Sequence, residues 1–99
     1  MKIGSIILVP FPFAELTNRK VRPAVVITET ADKYKDIVVS AISSVVPANL
    51  SKHEILLKPD RINNLRAVSI LKADRIVTLK REDKIADLGS LPPYQLEEF

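Results

Sequence analysis

The 99-residue chain has no cysteine, no tryptophan, one histidine and two glycines. The lack of cysteine and the single histidine each close a class of function. Without cysteine there is neither a disulfide framework nor a thiolate zinc site. With His53 as the only histidine, a two-histidine ribonuclease mechanism and a histidine-rich metal site are both excluded. No motif supports an all-carboxylate magnesium cluster, so neither metal nor cofactor is expected. No stretch approaches the roughly 20 apolar residues of a membrane span. The run Ile6 to Val9 behind Lys2 is too brief for a secretory leader, and Pro10 and Pro12 interrupt it. A soluble, cytoplasmic protein with no membrane partner is expected.

What the chain does have is aliphatic. Hydrophobic residues make up 46%, mostly Val, Ile, Leu and Ala, which suits β-branched packing in a sheet. There is no internal repeat and no linker, so residues 1–99 read as one domain. Seven prolines punctuate the chain. Ser5 to Phe11 is a continuous apolar run ending in prolines, which predicts a buried strand. Pro12 to Val21 is a charged loop of a length that often carries function. Further strands are predicted over Arg22 to Thr28, Asp36 to Ser43, His53 to Lys58, Ala67 to Lys72 and Arg75 to Leu79. Pro23 is tolerated at the start of its strand. The last two strands are separated by a break near Ala73 and Asp74. Pro59 to Asn64 reads as a turn or short helix, and Ser90 as a cap for a short helix over Pro93 to Phe99. Five or six short strands with turns every 8–12 residues suggest a small barrel or sandwich.

The net charge is +3 and the pI about 9.3, a mild basic excess that permits an acidic partner without identifying one. Its placement is more informative. Arg19, Lys20 and Arg22 crowd the first loop, and Arg61 and Arg66 flank another. Lys80, Arg81 and Lys84 share a third, diluted by Glu82 and Asp83.

Three stretches narrow the reading. They are Gly4-Ser-Ile-Ile-Leu-Val-Pro-Phe-Pro-Phe13, then Arg22-Pro-Ala-Val-Val-Ile27, then Ser69-Ile-Leu-Lys-Ala-Asp-Arg-Ile-Val-Thr-Leu79 followed by Leu88-Gly-Ser-Leu91. In this order and spacing the chain resembles the MazF/PemK-like toxins of type II toxin–antitoxin systems, over roughly Gly4 to Leu96. The resemblance implies a mainly β fold, an SH3-like small barrel with one or two short helices including a C-terminal one. It also implies a homodimer, single-stranded RNA as substrate, metal-free cleavage, and a cognate antitoxin that blocks the RNA groove.

Metal-free RNA cleavage uses the substrate's 2′-hydroxyl as nucleophile and leaves a 2′,3′-cyclic phosphate and a 5′-hydroxyl. The protein must then orient the phosphate, stabilise added negative charge and manage two protons. The resemblance assigns Arg22 to the phosphate and the transition-state charge, because a guanidinium grips phosphate oxygens bidentately. A proton-donor role for it stays open, since an ordinary arginine holds its proton too tightly to be a good acid. Ser43 aligns with the family's active-site threonine, with Ser44 taking its part if the register slips by one. Glu15 is the candidate to accept the 2′-hydroxyl proton. Arg19 and Lys20 add counter-charge for RNA, and Phe13 is a candidate to stack a base.

Two positions depart from the family pattern. Val77 stands where a basic residue is expected in the segment Asp74-Arg75-Ile76-Val77-Thr78, and Lys80 where an acid follows in relatives. Arg75, Lys80 or Arg81 would have to compensate. Ser5 also replaces a frequent aspartate after Gly4. His53 begins an apolar strand and reads as a half-exposed strand residue. The alternative to a nuclease is a non-catalytic RNA- or protein-binding module on the same fold, either an inactive toxin or a poison of the gyrase-binding kind.

Overall fold

The computed structural model describes residues 2–11, 20–31, 33 and 35–92, with Phe11 and Lys20 described by their backbone alone. Among the described residues the fold is mainly β: six antiparallel strands, curled into a half-barrel, β1 (Ser5–Phe11), β2 (Lys20–Glu29), β3 (Ile37–Ser43), β4 (Glu54–Leu57), β5 (Ser69–Leu79) and β6 (Ala86–Ser90), with one 3₁₀ turn at Arg81–Asp83. They hydrogen-bond in the order β4-β5-β3-β2-β1-β6.

Both faces of this sheet are buried, which is why its strands read as near-continuous apolar runs. On one face Ile7, Val9, Ala24, Val26, Ile37, Val39 and Ala41 form one cluster. On the other, Ile6, Val25, Ile42, Leu57, Leu65, Leu71 and Leu91 form a second. The alternation Ile6/Ile7 and Val25/Val26 divides neighbouring residues between the two, as a two-residue period requires.

Register shifts curl the sheet. They fall between Ile6 and Ile7 against β6, between Val26 and Thr28 against β3, and between Ser40 and Ala41 against β5. Extra residues of this kind bend a strand and increase its twist, the device by which a sheet closes toward a barrel. At the third shift Ser40 faces Ile76 while Ala41 faces Lys72, so Ala73, Asp74 and Arg75 bulge out of the ladder. The two strands expected on either side of Ala73 and Asp74 are thus one bulged strand.

The prolines sit where the ladders allow them. Pro10 pairs with Val21 of β2, beyond Leu8, where the pairing with β6 ends. Pro23 pairs with Leu8, and the pairing of β2 with β3 reaches only to Ala24. Neither proline therefore has a ladder on both sides, which is where a missing N–H is tolerated.

The segment between β4 and β5 is held by side chains instead of by a ladder. Asn63 is fully buried. Its Oδ1 accepts from the Asp60 and Leu65 amides at 3.0 Å each, and its Nδ2 donates to the Lys58 carbonyl at 2.8 Å. Asp60 Oδ1 accepts from the Ile62 and Asn63 amides. The Ser90 amide then donates to the Ile62 carbonyl at 2.9 Å, docking the loop on β6. Gly89 makes that approach possible, because a Cβ there would collide with the Ile62 carbonyl oxygen.

Strand β6 was not foreseen from the sequence, and Ser90, expected only as a helix cap, closes it opposite Ser5. The helix expected over Pro93 to Phe99 lies outside the described residues.

Candidate functional site

Strands β2 and β3 lie side by side with Ala24 facing Ala41. Arg22 precedes Ala24 by two residues and Ser43 follows Ala41 by two. The two-residue period therefore sends both side chains off the same face, at the same end of the sheet. Phe11 and Lys20 end β1 and begin β2 at this end too.

Arg22 faces Val9 across the β1–β2 ladder. Val9 and Ala24 are fully buried, so the Arg22 stem runs along the margin of an apolar cluster. Its Nε is buried, while the residue as a whole is only part-buried. A guanidinium held half out of water against an apolar wall acts more strongly on an anion than one fully solvated.

Ser43 is part-buried, and its Oγ accepts from the Val45 amide at 3.1 Å. That bond fixes the oxygen and leaves the hydroxyl proton to donate. A guanidinium and a donor hydroxyl are both groups that bond phosphate oxygens, and here they leave one face at one strand end.

Ser44 is not interchangeable with Ser43. It is exposed and lines a cavity with Leu8 and Pro23, which lie on the opposite face of the sheet from Arg22.

The remaining sequence candidates are scattered. Arg75 is exposed in the β5 bulge. Lys80 follows Leu79, which pairs with Ile37 at the start of β3, while Ser43 ends that strand. At about 3.3 Å per residue, that separates Lys80 from Ser43 by roughly 20 Å along the strand. The structure does not bring Lys80 to Arg22 and Ser43. Arg81 is engaged elsewhere, with Nη2 at 3.3 Å from Glu29 Oε1. Val77 packs against the first core cluster together with Leu79. The position that departs from the family pattern here supports the core. Lys20 is placed only by its backbone in β2, and Phe13, Glu15 and Arg19 lie outside the described residues. His53 is exposed. Among the described residues, no three His, Asp or Glu side chains cluster to hold a metal ion.

A family model, that of the PemK-like, MazF-like toxins of type II toxin–antitoxin systems, matches residues 2–99. The chain belongs to this toxin family. No curated protein matches it. PemK/MazF-like toxins are generally endoribonucleases, and membership implies an RNA substrate and an antitoxin partner. Among the described residues, no helix is long and apolar enough to cross a membrane.

Arg66, only a loop charge by sequence, shares a cavity with Asn64 and Ser44 that the sequence does not show. The nearest signal is the run Pro59-Asp-Arg-Ile-Asn-Asn64, whose Asp and Asn side chains are suited to fixing a loop through backbone hydrogen bonds.

Proposed function

We propose that this PemK/MazF-like chain is an endoribonuclease that cuts single-stranded RNA without a metal, acts as a cytoplasmic homodimer and is inhibited by a cognate antitoxin. The observation that carries this reading is the placement of Arg22 and Ser43 on one face at one strand end, in a family whose members are generally endoribonucleases. In this reaction the 2′-oxygen of the substrate attacks the adjacent phosphorus, and the bond from phosphorus to the 5′-oxygen breaks. A base takes the 2′-hydroxyl proton, for which Glu15 is the candidate. A proton is delivered to the departing 5′-oxygen by Arg22 or by water. Arg22 and the Ser43 hydroxyl hold the non-bridging oxygens as charge builds on them. Holding the phosphate in line supplies the rest of the rate.

The test is the chemistry of the ends. The protein is incubated in EDTA with a long single-stranded RNA and with the same RNA carrying 2′-deoxy nucleotides at the mapped cuts. The reading predicts 2′,3′-cyclic phosphate and 5′-hydroxyl ends on the first and no cutting at the deoxy positions. Cuts that persist at deoxy positions, or that need a divalent ion, contradict it.

One observation favours a second reading. Val77 is committed to the core and Lys80 is remote, so these two positions bring no charge to Arg22. A non-catalytic module that grips RNA or a protein would lose nothing by this. It predicts RNA or partner binding with intact RNA recovered.

A further inference from the structure

Behind the Arg22–Ser43 face the sheet carries a cavity of about 430 Å³. We propose that it is a base-reading slot for an unpaired nucleobase flanking the scissile phosphate. The proposal rests on the RNA reading above and adds where a base is recognised.

The slot has an apolar floor and a polar rim. Leu8, Pro23, Leu65 and Leu88 supply the floor, and Ser44, Asn64 and Arg66 stand exposed around it. A flat apolar ring face suits the floor, and its volume is in the range of small-molecule sites. The rim offers both kinds of hydrogen-bonding group. Asn64 Nδ2 is committed to the Leu88 carbonyl at 2.6 Å, which leaves its Oδ1 as an acceptor. Arg66 is a donor, and among the described residues no carboxylate pairs with it. Bases present exocyclic amino donors and ring or carbonyl acceptors along one edge, which is the combination this rim can read. An apolar side chain of an acidic peptide would fill the floor and meet Arg66. Its carboxylates could make no bond to the Asn64 acceptor, which only a backbone N–H of the peptide could reach, whereas one base edge carries the amino donor and the acceptor side by side.

The slot is preformed and joined to the proposed cutting residues. Its far wall follows directly on buried Asn63, whose side chain makes three hydrogen bonds to the backbone of its own loop. Its near wall contains Pro23 and Ser44, the residues next to Arg22 and Ser43. Each pair lies on one strand or at its end, so neighbouring residues face opposite sides of the sheet. A single strand that crosses the sheet end at Arg22 therefore carries an adjacent base round to the slot.

The experiment adds the four nucleoside 5′-monophosphates separately to ¹⁵N-labelled protein and follows its amide signals. In parallel, cut-site preference on a mixed RNA is compared for wild type, Ala67→Phe, which would fill the slot from an exposed rim position, and Arg66→Ala. The expected result is that the Ser44, Leu65, Arg66 and Leu88 amides move for one base more than for the others. Ala67→Phe abolishes that response and weakens base discrimination beside the cut about tenfold, while cutting itself persists. The Arg66→Ala variant weakens discrimination without filling the slot. Unmoved slot amides overturn the proposal. So does a wild-type base preference in both variants, or a slot that answers to an acidic peptide or to protein concentration and not to nucleotides. If the slot amides respond but RNA is never cut, the slot stands and the nuclease reading falls. If RNA is cut with base preference unchanged in both variants, the reverse holds.

Discussion

Arg22 and Ser43 leave the same face of neighbouring strands, each two residues past the facing pair Ala24 and Ala41. The fold therefore brings together a cation and a hydroxyl that stand 21 positions apart in the chain. Ala24 and Ala41 are both buried and belong to one core cluster, so the register behind the pair is fixed by packing. A one-residue slip would turn Ser43 to the other face and send the side chains that fill one core cluster into the other.

Removal of the Ser43 hydroxyl tests its share of the work. Ser43→Ala should slow single-turnover cleavage about 100-fold, the scale of losing one donor to a transition-state oxyanion. Ser43→Thr keeps the hydroxyl and should retain most of the rate. Because the bond from the Val45 amide is exposed, urea denaturation should show both variants within about 1 kcal/mol of wild type. Equal rates for Ala and Thr would remove the hydroxyl from the mechanism.

Asn63 should be among the least replaceable polar residues. Asn63→Ala strips partners from the Asp60 and Leu65 amides and the Lys58 carbonyl. Unpaired buried groups cost about 1–3 kcal/mol each, so a loss of at least about 2 kcal/mol is expected in urea unfolding. Asn63→Asp keeps the acceptor but cannot donate to Lys58, and should fall between alanine and wild type. A neutral effect of Asn63→Ala would mean that the loop does not depend on this side chain.

The strands with long aliphatic runs were legible from the chain, because both sheet faces are buried and β1, β2 and β3 carry no polar alternation to confuse the pattern. Two features were hidden. Ala73 and Asp74 look like a turn locally, yet β5 passes through them as a bulge that the pairing of Ser40 with Ile76 makes visible. Ala86 to Ser90 contains an aspartate and a glycine and has weak strand propensity of its own. It becomes β6 through its pairing with β1 and through the Gly89–Ile62 contact, both of them tertiary. The site divides in the same way. Arg22 and Ser43 could be named from their motif neighbourhoods, but their shared face needed the register. The slot is only half marked: the Asp and Asn side chains of residues 59–64 signal an ordered loop, but the Asn64–Leu88 bond that shapes the slot spans 24 residues.

Gly89 gives a backbone test of the same packing. Gly89→Ala places a methyl group into the Ile62 carbonyl oxygen, and backbone cannot swing aside as a side chain can. A loss of about 1–3 kcal/mol is expected on thermal or urea unfolding, with hydrogen exchange accelerated at the Ser90 amide. Unchanged protection at Ser90 would show that the loop is not held against β6 in this way.

The most direct measurement compares single-turnover RNA cleavage in EDTA by wild type, Arg22→Lys and Arg22→Ala, with folding of each confirmed by unfolding midpoint. A point charge cannot reproduce a bidentate grip. Loss of a preorganised donor to the reacting phosphate is worth at least about 100-fold. The account predicts that Arg22→Ala loses at least that factor and that Arg22→Lys recovers only part of it. A folded Arg22→Ala protein that cuts within about threefold of wild type would contradict it.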